Sequence, residues 1–567
     1  MPDQTRRQML QRIVGDLRLE RQSFIDHYRS LAEFVRPRRG RFEVTDRNRG
    51  GRDHWHKIIN SRATQAHGIA TAGLFNGVMS PTRPWFWLTT DDPDLAEFSP
   101  VKEWLYRVQE LMRAIFNASN LYNMAPVMYD ELLLFGTGCI SHADDFEDVA
   151  RFYAHTVGSY MIAQNDRYEI DTVAREFQMT VAQIVSKFSR SSKEVNSKIS
   201  RAVRDQYDRG VYNAWYPVTQ VVLPNEQADP DGKRSRERPF LSVYFEPGNE
   251  DWDAFLSEMG FHEFPFYCPR WDVTGEDIYG TSCPGMNALG DVRALQTEEK
   301  QKAQAIAKQV NPPLHGPAAL NNVPVMNMPG GTTFYDTGGQ QGLRSVYDVQ
   351  FRVNDVMMDI EKVEGRINEA FHVDLFQAIT AMEGIQPRNQ LELMQRHQER
   401  LMRLGPMLER QHGDFLNPLV NRTYGQMERA GLLPPAPNVL DGRPLKVKYV
   451  STLAMAQQAT TTGNIDRLVA FVAALAQSGY PQVLDKFDAD QAVDEYSQLI
   501  GAPPRLVVSD EQVAEVRAQR ARVQQAQTAM EMGQGAANIA KMAGETNMTE
   551  DTLAGQVGTA MKAQQNG

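Results

Sequence analysis

The sequence predicts a mixed α+β protein, predominantly helical, organised around two long helices joined by a glycine- and proline-rich insert. Three observations predict this. Residues 346–371 carry apolar side chains at Val346, Val349, Val353, Val356, Ile360, Val363, Ile367 and Ala370. That alternating spacing of three and four is the pattern of a narrow helical seam. Residues 284–310 are alanine-rich, with Leu289, Val292 and Leu295 on one stripe, then Ala303, Ile306 and Val310. Residues 150–272 change texture, with strand-like runs at Val211–Leu223 and Phe240–Glu246 rich in Tyr, Trp and Val. β-Branched residues are mildly unfavourable in helices, so packing rather than propensity must hold the seam. A long seam with no enzyme motif nearby points to assembly rather than catalysis.

The 567 residues are enough for about three to five domains. No apolar run approaches the roughly 18 residues that span a bilayer, and Met1 to Leu10 has no apolar signal core. A protein made and used inside a cell, or in an assembly built there, is therefore expected. The net charge is −11, yet arginines crowd the beginning: Arg6, Arg7, Arg12, Arg18, Arg21, Arg36, Arg38, Arg39, Arg41, Arg47, Arg49 and Arg52. Such a segment meets nucleic acid, a membrane surface or an acidic protein, or it is a solvated helix followed by a polar loop. An acidic whole does not suit a tight DNA binder. It suits a surface past which DNA slides. Cys139, Cys268 and Cys283 form no CxxC and read as free thiols. Cys283 lies near a helix start, which lowers a thiol pKa.

In chain order, residues 3–35 read as one amphipathic helix with Met9, Ile13, Leu17, Phe24, Tyr28 and Leu31 near one face, ended by Arg36-Pro37. A basic loop follows, then a helix from Lys57 to Met79. Trp85-Phe86-Trp87-Leu88 is a short strand or anchor, and Ser99-Pro100 opens the next helix with serine as the N-cap. A helix over 123–136 breaks at Phe135-Gly136-Thr137-Gly138-Cys139 into a strand. Thr180 to Arg209 is helical, and Asn225–Arg238 is a loop at a hairpin tip. The first long helix spans 284–310 and is about 40 Å long at 1.5 Å per residue. Asn311-Pro312-Pro313 ends it. The insert holds strand-like pieces at Val323–Met326 and Thr332–Tyr335. Residues 374–390, with Gly384 and Pro387, read as irregular. A long helix from Asn389 to Arg429 should kink at Gly405-Pro406. Pro434 to Pro437 is a connector, Lys446–Val450 a strand, and 464–478 and 488–500 are helices. Ser509 and Gln512 form a capping box for a last helix that decays into a Gly/Ala/Met/Gln tail over 533–567.

Known catalytic and ligand motifs do not fit. Gly232-Lys233 lacks the rest of a phosphate loop, and no HExxH or EF-hand loop occurs. Gly280 to Gly285 is one residue too long for a nucleophile elbow and reads as a turn into a helix. Asp91, Asp92 and Asp94 read as a turn before a helix rather than a metal site. No cofactor is expected.

The order of these features resembles the portal, or head-to-tail connector, proteins of short-tailed bacteriophages. The likeness rests on Ala63 to Leu88, with Leu74-Phe75-Asn76 and Pro84-Trp85-Phe86-Trp87-Leu88; on Gly275-Glu276-Asp277-Ile278-Tyr279-Gly280 running into Leu289 to Leu295; on the return helix after the insert; and on the block from Ser451 to the tail. It covers nearly the whole chain. The resemblance implies a ring, usually of twelve copies, at one capsid vertex of the virion, assembled in the host cytoplasm. Double-stranded DNA passes through it, driven by the terminase large subunit, and tail adaptor, capsid and scaffolding proteins bind it. It implies a wing (1–275, β-rich over about 150–272), a first stem helix (276–310), a clip (311–345) and a second stem helix (346–372). It further implies a tunnel loop (373–390), a long wing helix with return strand (391–450), a crown (451–505), and a barrel helix with tail (506–567). The seam from Val346 to Ile367 would pack between subunits. Lys300, Lys302 and Lys308 on the first stem helix, and Met382, Glu383, Gln386 and Arg388 in the tunnel loop, are candidates to face DNA. A coiled-coil scaffold or adaptor without a channel is the alternative, and an enzyme using Cys283 or the Asp91–Asp94 cluster is a third reading.

Overall fold

The computed structural model describes residues 6–42, 57–310, 352–381, 404–440, 445–450, 465–499, 507–508 and 512–527, with the pairs 314–315 and 344–345. Within these, positions 93–94, 97, 146, 191–193, 230–231, 233, 250, 252–253, 466 and 479 are excepted. Val346, Val349, Met382, Glu383, Gln386, Arg388, the strand-like pieces of the insert, the capping box at Ser509 and the tail over 533–567 lie outside the described residues.

Helix α1 (Arg6–Val35) packs its first half on a five-stranded sheet and its second half on the helical core. Its buried stripe is Leu10, Val14, Leu17, Arg21, Ile25, Tyr28, Leu31 and Val35. This differs from the expected face at its start, where Met9 is 51% exposed and Leu10 is buried. The stripe also admits cations. Arg21 donates to the carbonyls of Gly158 at 2.8 Å and Tyr160 at 3.0 Å. Arg7 donates to those of Asp251 and Glu246, each at 2.5 Å. Arg6 pairs with Glu258 and Arg18 with Glu176. Much of the basic run is therefore spent inside the subunit rather than offered to a partner.

Helix α2 (Arg62–Met79) begins five residues later than expected, and Lys57 to Ser61 form the turn before it. Strand β1 (Phe86–Thr90) pairs antiparallel with the distant β12 (Leu445–Tyr449). Helix α3 (Ser99–Ala118) is capped by Phe98 without a side-chain bond, so Ser99 is the first helical residue and not the cap. Helix α4 (Leu121–Phe135) ends at Gly136, whose φ of 80° is the left-handed conformation that glycine adopts without strain. A β-carbon there would meet the Gly280 carbonyl oxygen at 2.4 Å.

Two sheets follow. Strands β2 (Ile140–Asp145), β3 (Val149–Ala154) and β9 (Phe266–Tyr267) form one, in the order β3-β2-β9. The other runs in sequence order through β4 (Tyr160–Gln164), β5 (Ile170–Thr180), β6 (Trp215–Pro224), β7 (Phe240–Phe245) and β8 (Ser257–Phe261). The expected helical piece is two short helices, α5 (Val181–Phe188) and α6 (Arg201–Asp208), the first closed by a full capping box at Thr180 and Gln183. Further elements are α7 (Pro284–Val310), β10 (Leu314–His315), β11 (Arg344–Ser345), α8 (Val353–Ala370) and α9 (Val373–Ala381). They are followed by α10 (Gly405–Gln411), a π-helical turn (His412–Leu416), α11 (Asn417–Arg429) and α12 (Ala489–Leu499). Helical backbone runs unbroken from Gly405 through the π turn to Arg429, and Pro406 sits in the first turn of α10, where its missing N–H costs nothing. Residues 391–403, on which the expected kink at Gly405-Pro406 also depends, lie outside the described residues.

Residues 373–381 are helical rather than irregular. Their Leu375 and Phe376 are buried, and Phe376 sits against Gly73 of α2, where a β-carbon would come within 2.3 Å of it. The glycine and proline that suggested irregularity, Gly384 and Pro387, come after the described part of this segment.

One buried ionic knot ties the chain start to this core. Asp130 of α4, 2% exposed, pairs with Arg36 at 2.7 Å, Arg39 at 2.6 Å and His67 of α2 at 3.0 Å. Burial pushes its carboxyl up, but the His67 hydrogen bond and the charges of His67, Arg39 and Arg36 outweigh this and hold it well below the usual carboxylate range. Its neighbour Glu131 accepts from Thr156 Oγ1 at 2.7 Å and from the Val157 N–H at 3.1 Å. Burial wins there, pushing the carboxyl up to about 7 against the pull of Arg39 and those two bonds. The stability Glu131 contributes is thus fully present below its ordinary value of 4.5 and is lost as pH rises through about 7. Glu131→Gln should therefore gain about 2 kcal/mol on wild type between pH 5.5 and pH 8, at about 1.4 kcal/mol per pKa unit. Chemical unfolding of both proteins at the two pH values measures it. Equal differences at both would refute it.

Candidate functional site: a helical hairpin with an uncovered end

Helices α7 and α8 pack against each other as a hairpin, and its base is part of the subunit core. Ala288, Leu289, Val292 and Leu295 of α7 are buried, as are Ile360, Val363 and Ile367 of α8. Those three seam residues therefore pack against their own subunit.

A polar clamp fixes the base. Gln296 accepts from the backbone N–H groups of Ile59 at 2.6 Å and Asn60 at 2.9 Å, and donates to the Asn60 carbonyl at 2.9 Å. The Asn60 amide donates to Glu299 of α7 at 3.1 Å and to Glu364 of α8 at 2.8 Å. Arg62 donates to Asn368 at 2.8 Å, and Arg366 pairs with Asp291 at 2.9 Å across the hairpin. The turn before α2 thus holds both helices at once. Asn60→Ala should lower subunit stability by about 1–3 kcal/mol, because at a half-buried site it takes from Glu364 the Asn60 donor and leaves Glu299 to Lys302 alone. Urea unfolding measures it, and a loss under about 0.5 kcal/mol, the range of an ordinary surface change, would contradict the clamp.

Beyond the clamp the hairpin leaves the core. Every residue from 297 to 310, and from 353 to 359, is at least partly exposed. Ala303, Ile306 and Val310 continue the buried stripe of α7 at the same helical spacing, yet Ile306 is 42% and Val310 79% exposed. On α8, Val353 and Val356 are half-buried while Met357 and Met358 are exposed. A cleft of about 270 Å³ opens between the helices, lined by Val353 and Val356 with Lys302, Lys308 and Arg352.

The three candidate lysines separate. Lys302 pairs with Glu299 at 2.5 Å. Lys300 and Lys308 fall with Arg293, Thr297 and Gln304 on one exposed stripe of α7. The two helices differ in charge. Helix α7 has four bases (Arg293, Lys300, Lys302, Lys308) against three acids (Asp291, Glu298, Glu299), a net of +1. Helix α8 has two bases (Lys362, Arg366) against five acids (Asp355, Asp359, Glu361, Glu364, Glu369), a net of −3. Burial raises the Glu298 carboxyl, and Asp359 across the hairpin raises it further.

Of the other chemical candidates, Cys283 and Asp91 have partners within the subunit, and Asp94 lies outside the described residues. Cys283 is buried with its thiol donating to the Leu134 carbonyl at 3.3 Å. Burial pushes that thiol up to about 12, against the lowering expected from the helix start, because the helix N–H groups only partly offset the loss of water. Asp91 pairs with Lys446, and no acidic or histidine-cysteine group among the described residues is arranged to hold a metal ion.

A family model described as bacteriophage head to tail connecting protein matches residues 7–508. The chain belongs to this family. Two connector relatives support the assignment end to end. The portal protein of Salmonella phage epsilon15 is 40% identical over 565 residues, covering 99% of this chain and 100% of the relative. The probable portal protein of Bordetella phage BPP-1 is 40% identical over 556 residues, covering 98% of each. The connector match runs through both hairpin helices and the insert between them. No described helix is long and apolar enough to cross a membrane. Asn60 and Gln296, which seat the hairpin, carry no motif. Their only trace in the sequence is a polar Gln296 directly after the buried Leu295.

Proposed function

We propose that this chain is a portal subunit whose copies close into a ring at one vertex of the capsid, the passage by which DNA is packaged and later ejected. The single observation that carries this is the apolar stripe of α7 that runs past the core and stays uncovered at Ala303, Ile306 and Val310. Charge supports the same arrangement: a basic-leaning α7 placed beside an acidic α8 of the next copy is a head-to-tail contact, and head-to-tail contacts close into rings. In this reading the seam valines Val353 and Val356, with Val346 and Val349, pack between copies, while Ile360, Val363 and Ile367 anchor the hairpin. The insert 311–345 is the clip that meets the terminase large subunit and then the tail adaptors, and residues 451–505 form the crown. Capsid and scaffolding proteins surround the wing. Twelve copies of the 64.1 kDa chain make a particle of about 770 kDa, which native mass measurement tests.

DNA contact by the stem is assigned to the exposed stripe of α7 that carries Lys300 and Lys308, and Lys302, which pairs with Glu299, lies off that stripe. Met382, Glu383, Gln386 and Arg388 are proposed as the tunnel-loop positions nearest DNA. Replacing Lys300 and Lys308 by glutamine should weaken the salt dependence of packaging, while Lys302→Gln leaves it unchanged. Packaging of labelled genome at two salt concentrations measures this. An unchanged salt response in the double variant removes the lysines from the DNA path.

A further inference from the structure

Cys139 and Cys268 sit 129 residues apart in sequence with their sulfurs 3.6 Å from each other, both buried and both free. Their placement is set by sheet register. Ile140 pairs with Tyr267 and Ser141 with Phe266, which puts Cys139 directly opposite Cys268. The Gly138 N–H donates to the Pro269 carbonyl and the His142 N–H to the Pro265 carbonyl, so the even-numbered positions are the hydrogen-bonded pairs. Cys139 turns its own carbonyl the other way, to His155. The two cysteines therefore occupy a non-hydrogen-bonded pair, where facing α-carbons lie about 4.5 Å apart, inside the range a disulfide spans.

We propose that Cys139 and Cys268 are a cross-strand dithiol that a small peroxide converts to a disulfide within one subunit. One sulfur attacks the peroxide oxygen and becomes a sulfenic acid, releasing one water. The second thiol displaces the hydroxyl, releasing another, and the sulfur–sulfur bond forms as its proton leaves. Two thiols and one hydrogen peroxide give one disulfide and two waters. The bond would join the end of α4 to the segment that leads from β9 into α7, at a junction already narrowed by Gly136 against Gly280. Burial makes the step slow, since it holds the Cys268 thiol well up, and the same burial then shields the product from larger reductants.

Cys283 is an internal control. It is as buried as the other two but faces a carbonyl rather than a thiol. Purified full-length protein is treated with hydrogen peroxide, unfolded, and alkylated with N-ethylmaleimide. The expected result is one label per chain, on Cys283, a mass lower by two hydrogens, and a linked peptide containing Cys139 and Cys268. Reductant restores all three labels. The midpoint of thermal unfolding rises by several degrees on oxidation, and Cys139→Ala and Cys268→Ala each abolish the rise while Cys283→Ala keeps it. Three labels after oxidation, acids on the separate sulfurs, or a link between two chains would each overturn the proposal.

Discussion

Ile306→Asp combined with Val310→Asp should dissolve the ring into single subunits that remain folded. In one subunit both side chains stand in water, 42% and 79% exposed. A polar change there costs little, within about 0.5 kcal/mol per site. Buried against the next copy, each would contribute about 1.5–3 kcal/mol by its apolar area, and a carboxylate in its place adds a desolvation penalty at every contact around the ring. The same substitution one stretch deeper behaves oppositely: Val363→Asp places a carboxylate in the subunit's own core, where Val363 is 1% exposed, and should prevent folding. Sedimentation separates ring from subunit, and circular dichroism reports whether the subunit survives. Intact rings in the double variant would show that the uncovered stripe is not an assembly surface.

Asp130→Ala should cost about 3–5 kcal/mol, since it leaves the guanidinium groups of Arg36 and Arg39 beside His67 without their buried counter-charge. The knot fastens the end of α1 and the chain that follows it to α2 and α4. Glu131 cannot substitute, because burial keeps it largely protonated below about pH 7. Urea unfolding of the dissociated subunit reads the loss. A cost below about 1 kcal/mol would mean that the arginines reach water instead, as surface pairs do.

The sequence was informative where periodicity alone decides. Helix α7 over 284–310 needs only its alanine-rich stripe and the prolines on either side. The seam was equally visible, but its division into an anchored half and an uncovered half was not. Val356 and Val363 occupy equivalent positions in the repeat, and what separates them is that α2 lies alongside the deeper part of α8. Long-range pairing was hidden for the same reason. Nothing local marks Phe86 as the partner of Tyr449, or Cys139 as facing Cys268. The buried arginines Arg7 and Arg21 read as solvent-facing because their partners are backbone carbonyls, which leave no trace in residue type. The family resemblance reached further than these patterns, since it depended on the order of elements and not on any one contact.

End-on electron micrographs of the purified chain test the central claim most directly. Closed rings with an axial hole wide enough for duplex DNA are predicted, with the α7–α8 hairpins side by side around it. Single subunits, or rods with no lumen, at concentrations where connector rings should assemble would contradict it.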